Sequence, residues 1–186
     1  MDDRRFPLIM KTIAAITTTV FAVLTLLHFR SPHPVTLAAA ITFGTTAYHF
    51  LMRLAVGYLI PKATGYNFDY RAAWFQPRRW ETGLYRRLRV RCWKGKIPTY
   101  APSQFSLANN TLHRIIQNTC GAEIIHEIIM VLSFLPLAMV PFFGTFPVFF
   151  LTSFFSALFD GIFVTAQRYN RPRLVRIYEK QEAKRP

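Results

Sequence analysis

Residues 146–174 read FPVFFLTSFFSALFDGIFVTAQRYNRPRL. From Phe146 to Ala166 the stretch is apolar and dense in phenylalanine, and Asp160 is its one charged residue. As a helix it is long enough to cross a bilayer, which takes about 20 residues. It then gives way to a polar turn, Gln167-Arg168-Tyr169-Asn170-Arg171-Pro172-Arg173-Leu174. An apolar helix that ends in arginines reads as a membrane span stopped at a cytoplasmic surface.

Three more segments have the same character, at about residues 12–29, 35–60 and 122–140, the second stopped by Pro61 and the third bounded by Pro141. The first follows Arg4, Arg5 and Lys11, so a cleaved signal peptide is the rival reading. No small-x-small site follows it; Arg30-Ser31-Pro32-His33-Pro34 comes next, and an uncleaved anchor is expected. The fold class that results is an all-α integral membrane protein of one domain, with about four transmembrane helices.

Of the 186 residues, 52% are apolar and 16% aromatic, yet 23 Lys and Arg face 9 Asp and Glu for a net charge of +14. A nucleic-acid-binding domain would spread that charge over a moderate core. Here charge and apolarity are segregated into blocks, which fits basic segments beside a membrane and argues for no nucleic acid partner. The link between the first two spans carries Arg30, and the link Pro141–Thr145 carries no charge. Segment 61–121 and tail 167–186 hold most of the cations, from Lys62 to Arg114 and from Arg168 to Arg185. Both termini and the long middle segment are therefore expected in the cytoplasm. On that side the Asn109-Asn110-Thr111 sequon has no meaning.

The middle segment is too long for an empty loop. Trp74, Phe75, Trp80, Leu84, Tyr85, Leu88 and Val90 alternate with arginines, as in an amphipathic, interfacial element facing anionic lipid headgroups. Cys92 and Cys120 have neither ligand spacing nor a disulfide framework and read as free thiols.

Ionisable groups inside a span mark a working site by default. Glu123 and His126 lie three residues apart on one face of the third span, within its first two turns, with Glu127 beside them. Asp160 lies seven residues before Gln167, about 10 Å deeper at 1.5 Å per residue. His49 and Arg53 lie four apart in the second span, again one to two turns inside. Three helices thus bring polar groups to a similar depth in the inner leaflet, as a shared site would. Its chemistry would be His126 as a base oriented by the Glu123 carboxylate. Asp160 and Arg53 read equally well as a structural ion pair. A metal site on His49, His126 and Glu123 lacks HxxxH or HxH spacing, so no metal is expected. Arg168, Arg171 and Arg173 read as a membrane-surface patch or as guanidinium groups for a phosphate-rich donor.

Three blocks resemble the glycosyl-4,4'-diaponeurosporenoate acyltransferase family, which acts late in staphyloxanthin-type carotenoid synthesis. The first runs from Phe75-Gln76-Pro77-Arg78-Arg79-Trp80-Glu81 through Leu84-Tyr85 to Arg89-Val90-Arg91-Cys92-Trp93-Lys94 and Ile97-Pro98. The second is Asn118 to His126, and the third is Gln167 to Leu174. Thr119, Ala122, Glu123 and His126 match the second block. Asn118 stands where the family has an acidic residue, Cys120 and Gly121 lie where it has basic ones, and Glu127 replaces a Trp.

The resemblance implies transfer of a fatty acyl group from a thioester donor (acyl-CoA or an acyl carrier) to a hydroxyl of a membrane glycolipid, with no further cofactor. It also implies a bacterial cytoplasmic membrane. His126 would deprotonate the hydroxyl, and Gln167 and Asn170 would donate to the oxyanion. Arg168, Arg171 and Arg173 would hold donor phosphates, while Trp93 and Lys94 would position the middle segment at the headgroups. The rival readings are another lipid- or polyprenyl-glycan-modifying transferase and a non-enzymatic scaffold. Oligomeric state is not addressed by the sequence.

Overall fold

A computed structural model describes residues 4–184; Arg185, counted above among the basic residues of the tail, lies outside them. The described residues are helical without strands, and four helical segments are long and apolar enough to cross a membrane. Helix α1 (Arg5–Arg30) turns at Ser31–His33 into α2 (Pro34–Thr64). Pro34 suits a first helical turn, whose N–H groups have no partner, and His33 Nδ1 accepts the Val35 N–H at 3.2 Å. The Thr17, Thr19 and Thr25 hydroxyls of α1 donate to carbonyls of the preceding turn, which satisfies them within an apolar helix. At Gly44 of α2 a Cβ would lie 2.8 Å from the Phe21 ring, so the missing side chain sets how closely α1 and α2 approach.

Helix α2 runs one turn beyond Pro61, past the expected stop, and ends at Gly65 with φ 58°, where glycine is at ease. The chain then passes through two short helices, α3 (Arg79–Arg87) and α4 (Val90–Trp93), and three 3₁₀ turns. Helix α5 (Leu112–Leu132) starts ten residues before the apolar stretch, because Thr111 caps it: its Oγ1 accepts the Arg114 N–H at 3.2 Å. Pro136 and Pro141 break the regular helix after Ser133 into a 3₁₀ turn and the short α6 (Val140–Phe143).

Helix α7 (Phe146–Glu182) corrects the sequence reading most. Its 37 residues form one helix, so Gln167–Leu174 is not a turn. At 1.5 Å per residue it is about 55 Å long, well beyond a hydrocarbon core of about 30 Å. Pro172 removes one N–H, that which would bond the Arg168 carbonyl, and the helix continues because its far end is packed. Leu174, Val175 and Tyr178 meet a core of Tyr70, Phe75, Ile116 and Cys120.

Contacts between α2, α5 and α7 fix their directions. Tyr48 donates to the Leu132 carbonyl at 2.8 Å, while Arg114 donates to the Gly65 carbonyl at 3.2 Å, so α2 and α5 are antiparallel. Ser133 meets Ser156 and His126 meets Asp160, so α5 and α7 are antiparallel too. The start of α1, the end of α2, the start of α5 and the end of α7 gather with the middle segment at one end of the bundle. Apolar side chains such as Ile16, Leu26, Phe146 and Phe155 remain exposed along the outside, as on a surface that meets lipid.

One close approach secures the middle segment to α5. Gly121 faces the Tyr66 ring, and a Cβ there would lie 2.2 Å from Tyr66 Cδ1 and 3.1 Å from Phe68 Cε2. Tyr66 is itself in the left-handed region at φ 58° and has little room to retreat. Gly121→Ala is expected to destabilise the protein by about 1–3 kcal/mol, the usual cost of overpacking. Gly83→Ala is the control, since a Cβ there meets nothing within 4 Å. Thermal unfolding in detergent should place the first variant clearly below wild type and the second at or above it.

Candidate active site

Two polar networks cross the bundle, one above the other. The outer one lies where α7 leaves the apolar region. Arg168 donates from Nε and Nη2 to Glu81 Oε1 at 2.9 and 2.6 Å, and from Nη1 to Glu123 Oε1 at 2.6 Å. It also donates to the carbonyls of Trp74 and Gln76, both at 3.0 Å. Arg171 pairs with Glu123 Oε2 and donates to Thr119 Oγ1 at 3.1 Å and to the Thr119 and Phe75 carbonyls at 3.2 Å. Two arginines and two carboxylates thus cancel in charge while buried: the Glu123 side chain is 0% exposed and that of Arg171 2%. Tyr85 donates to Glu81 Oε2 at 2.8 Å, and burial together with that carboxylate pushes its phenol up.

These arginines take up backbone carbonyls of the middle segment, which is how an otherwise irregular stretch stays docked. That corrects the expectation that Arg168 and Arg171 hold donor phosphates. Their donors are already occupied, and Arg171 is enclosed. Arg173, by contrast, is exposed on the opposite side of α7, its guanidinium 5.7 Å from the Tyr169 ring.

The inner network lies one turn deeper. His126 Nδ1 is 2.8 Å from Asp160 Oδ1, and Arg53 pairs with Asp160 Oδ2. Arg53 also donates to the Ser156 hydroxyl at 2.8 Å and to the carbonyls of Ser156 and His49 at 3.1 and 3.0 Å. The Ser156 hydroxyl meets His49 Nδ1 at 3.1 Å and Ser133 at 2.9 Å. The partner that orients His126 is therefore Asp160, not Glu123, which corrects the sequence reading. The two acids differ by depth: Glu123 is level with the arginines of α7, and His126, one turn on, is level with Asp160.

An ionised carboxylate only accepts, so the Asp160 contact places the proton of a neutral His126 on Nδ1 and leaves Nε2 with a free lone pair. Among the described residues Nε2 has no hydrogen-bond partner, and 23% of the side chain is exposed. The ring stacks on Phe163 with centroids 4.5 Å apart at 9°. Phe163 in turn lines an apolar groove of about 440 Å³ with Phe159, Ile162, Trp93, Ile97, Pro98 and Lys96. An oriented imidazole thus stands behind one wall of an apolar groove. In the same network His49 Nε2 and Arg53 Nε are buried without a partner among the described residues.

Of the remaining expected residues, Asn170 accepts from Lys94, whose ammonium also lies 4.9 Å from the Tyr169 ring. Trp93 donates to the Leu88 carbonyl at 2.8 Å and faces the groove. Gln167 is half-buried one residue from Arg168. Glu127 accepts from the exposed Trp74 indole at 2.9 Å. Cys92 is exposed and Cys120 buried, both as free thiols. Among the described residues no three His, Cys, Asp or Glu side chains are grouped to hold a metal.

Sequence reasoning missed Ser156, Ser133 and Glu81. Ser156 lies four residues before Asp160 and so on its face, a signal that was available. Glu81 is the single acid in the aromatic-basic run 74–96, and its isolation among cations was the clue to an internal partner.

A family model for glycosyl-4,4'-diaponeurosporenoate acyltransferase matches residues 71–180, more than half of the chain. The chain belongs to that family. Membership supports an acyltransferase role in the modification of carotenoid glycolipids. No curated protein and no solved structure matches the chain. The matched region contains the whole outer network together with His126, Ser133, Ser156 and Asp160, while Arg53 and His49 lie before it.

Proposed function

We propose that this protein is a membrane acyltransferase that moves a fatty acyl group from a thioester donor to a hydroxyl of a glycosylated, carotenoid-like lipid. The observation that carries the reading is the His126–Asp160 contact at 2.8 Å beside the apolar groove, within a chain of this family. The proposed orientation puts both ends of the chain and the middle segment in the cytoplasm of a bacterial cell; it is supported by the cations of 61–121 and 167–184, which gather at one end of the bundle.

In this mechanism His126 Nε2 takes the proton of the acceptor hydroxyl as the oxygen attacks the thioester carbonyl. The new C–O bond forms, the carbonyl oxygen becomes an oxyanion, and Gln167 is the half-buried donor proposed to meet it. Collapse breaks the C–S bond, and the imidazolium returns its proton to the departing thiolate. Asp160 holds the ring in the required tautomer and stabilises the imidazolium. Its second oxygen is held by Arg53, which fixes the position of the carboxylate. Resting charge on Arg53, Asp160 and neutral His126 sums to zero, a sensible state for groups set into a membrane.

The reaction class is tested by the acceptor. Purified protein given acyl-CoA should esterify a glycosylated polyene with free sugar hydroxyls and leave its fully O-methylated analogue untouched. Esterification of a phospholipid or polyprenyl-linked sugar with no reaction on the glycosylated polyene would replace this acceptor by another.

A further inference from the structure

Groove and cations together say which substrate the groove takes. Its floor is one face of α7, where Phe159, Ile162 and Phe163 fall at helical spacing, and its far wall is Trp93, Ile97 and Pro98. Its volume of about 440 Å³ falls in the usual range for small-molecule sites. An uncharged glycolipid and an acyl thioester both offer an apolar chain, so apolarity alone does not choose between them. Charge does. Lys96 lines the groove itself, and Lys94, two residues before it in sequence, lies near Arg91 and Arg173.

No described carboxylate pairs with any of these four cations, whereas the neighbouring Arg168 and Arg171 are fully neutralised. Burial, then the like charges of Arg173 and Arg91, hold the Lys94 ammonium below its usual range. Crowded, uncompensated cations at the end of an apolar groove suit an amphiphile whose head carries phosphate.

We propose that this groove binds the acyl chain of the donor thioester, with the phosphates of its carrier on Arg91, Lys94, Lys96 and Arg173. The assignment rests on the acyltransferase reading and locates its donor half. It brings the chain against Phe163, the ring on which His126 stacks. The neutral acceptor then approaches from the lipid side of His126. Ile162, 37% exposed on the groove floor, is positioned to set chain length.

The test uses full-length protein in vesicles of phosphatidylcholine, which bear no net charge. Binding of a non-hydrolysable palmitoyl-CoA thioether is measured first, so that it does not depend on turnover. Lys96→Glu combined with Arg91→Glu should weaken that binding at least 10-fold, while leaving the affinity for a palmitoyl-pantetheine thioether, which lacks phosphate, within 2-fold. Ile162→Trp should shift preference from hexadecanoyl towards octanoyl analogues by 10-fold or more, and Ile162→Ala should shift it the other way.

Equal loss for both head types, or a loss that appears only when anionic phospholipid is present, would assign the cations to lipid headgroups and overturn the proposal. An unchanged chain-length profile in both Ile162 variants would overturn it as well. Acyl transfer by wild type with an unchanged profile defeats the groove assignment alone. Tight thioether binding without any transfer defeats the acyltransferase reading alone.

Discussion

Replacing Glu123 by glutamine is expected to lower stability by about 3–5 kcal/mol, the cost of breaking a buried ion pair by removing one partner. Glu123 is the shared counter-ion of Arg168 and Arg171, and its side chain is entirely enclosed. Without its charge, Glu81 alone faces two guanidinium groups, and Arg171 retains only neutral acceptors on Thr119 and Phe75. The loss spreads beyond the pair, because the same arginines hold the carbonyls of Trp74, Phe75 and Gln76.

Proteolysis should therefore open segment 66–111 in this variant before the helices are cut. Exchanging Glu123 for leucine together with Arg171 for methionine removes both charges, and that pair should lose less than the two single variants summed. Arg173→Met, on the exposed side of the same helix, should stay within about 0.5 kcal/mol of wild type. Chemical or thermal unfolding of wild type, Glu123→Gln, Glu123→Leu, Arg171→Met, their double variant and Arg173→Met in one detergent provides the comparison.

The second large effect is on rate. His126→Ala should reduce kcat for acyl transfer by about 10²–10⁴-fold, the range for loss of a general base. KM for the donor should change little, since the groove and its cations are untouched. Stability should fall by far less than for Glu123→Gln, because Asp160 keeps Arg53 as its partner. Added imidazole should restore part of the rate, which a structural role for His126 would not produce. Asp160 is the less clean target. Asp160→Asn loosens the ring and also leaves Arg53 buried without its counter-ion, so rate and stability should fall together.

How far these features were legible in the sequence depended on the distance over which each is determined. The apolar blocks, and the convergence of His49, Arg53, Glu123, His126 and Asp160 at one end, follow from single helices and their direction. Pairing does not. Glu123 and His126 share a face and differ by three residues, about 4.5 Å along the axis. That offset is what separates the arginine network from the imidazole network.

Which of the two acids, Glu123 or Asp160, partners His126 depends on the stagger between α5 and α7, and that is set by packing far from either residue. The polar stretch Gln167–Leu174 reads as a turn for a related reason. A proline read locally marks a stop, but α7 continues past it because Leu174, Val175 and Tyr178 have a core to meet. Likewise the arginines of Gln167–Leu174 read as a surface because their partners, Glu81 and the carbonyls after Ala73, lie about ninety residues away in the chain.

Incubating purified wild-type protein in phosphatidylcholine vesicles with radiolabelled acyl-CoA and a glycosylated polyene lipid tests the central claim most directly. The account predicts a labelled glycolipid ester, released as free fatty acid by mild alkali, and no such product from His126→Ala that retains the wild-type melting temperature. A folded wild-type protein that binds the donor and forms no ester, or equal ester from both proteins, would contradict it.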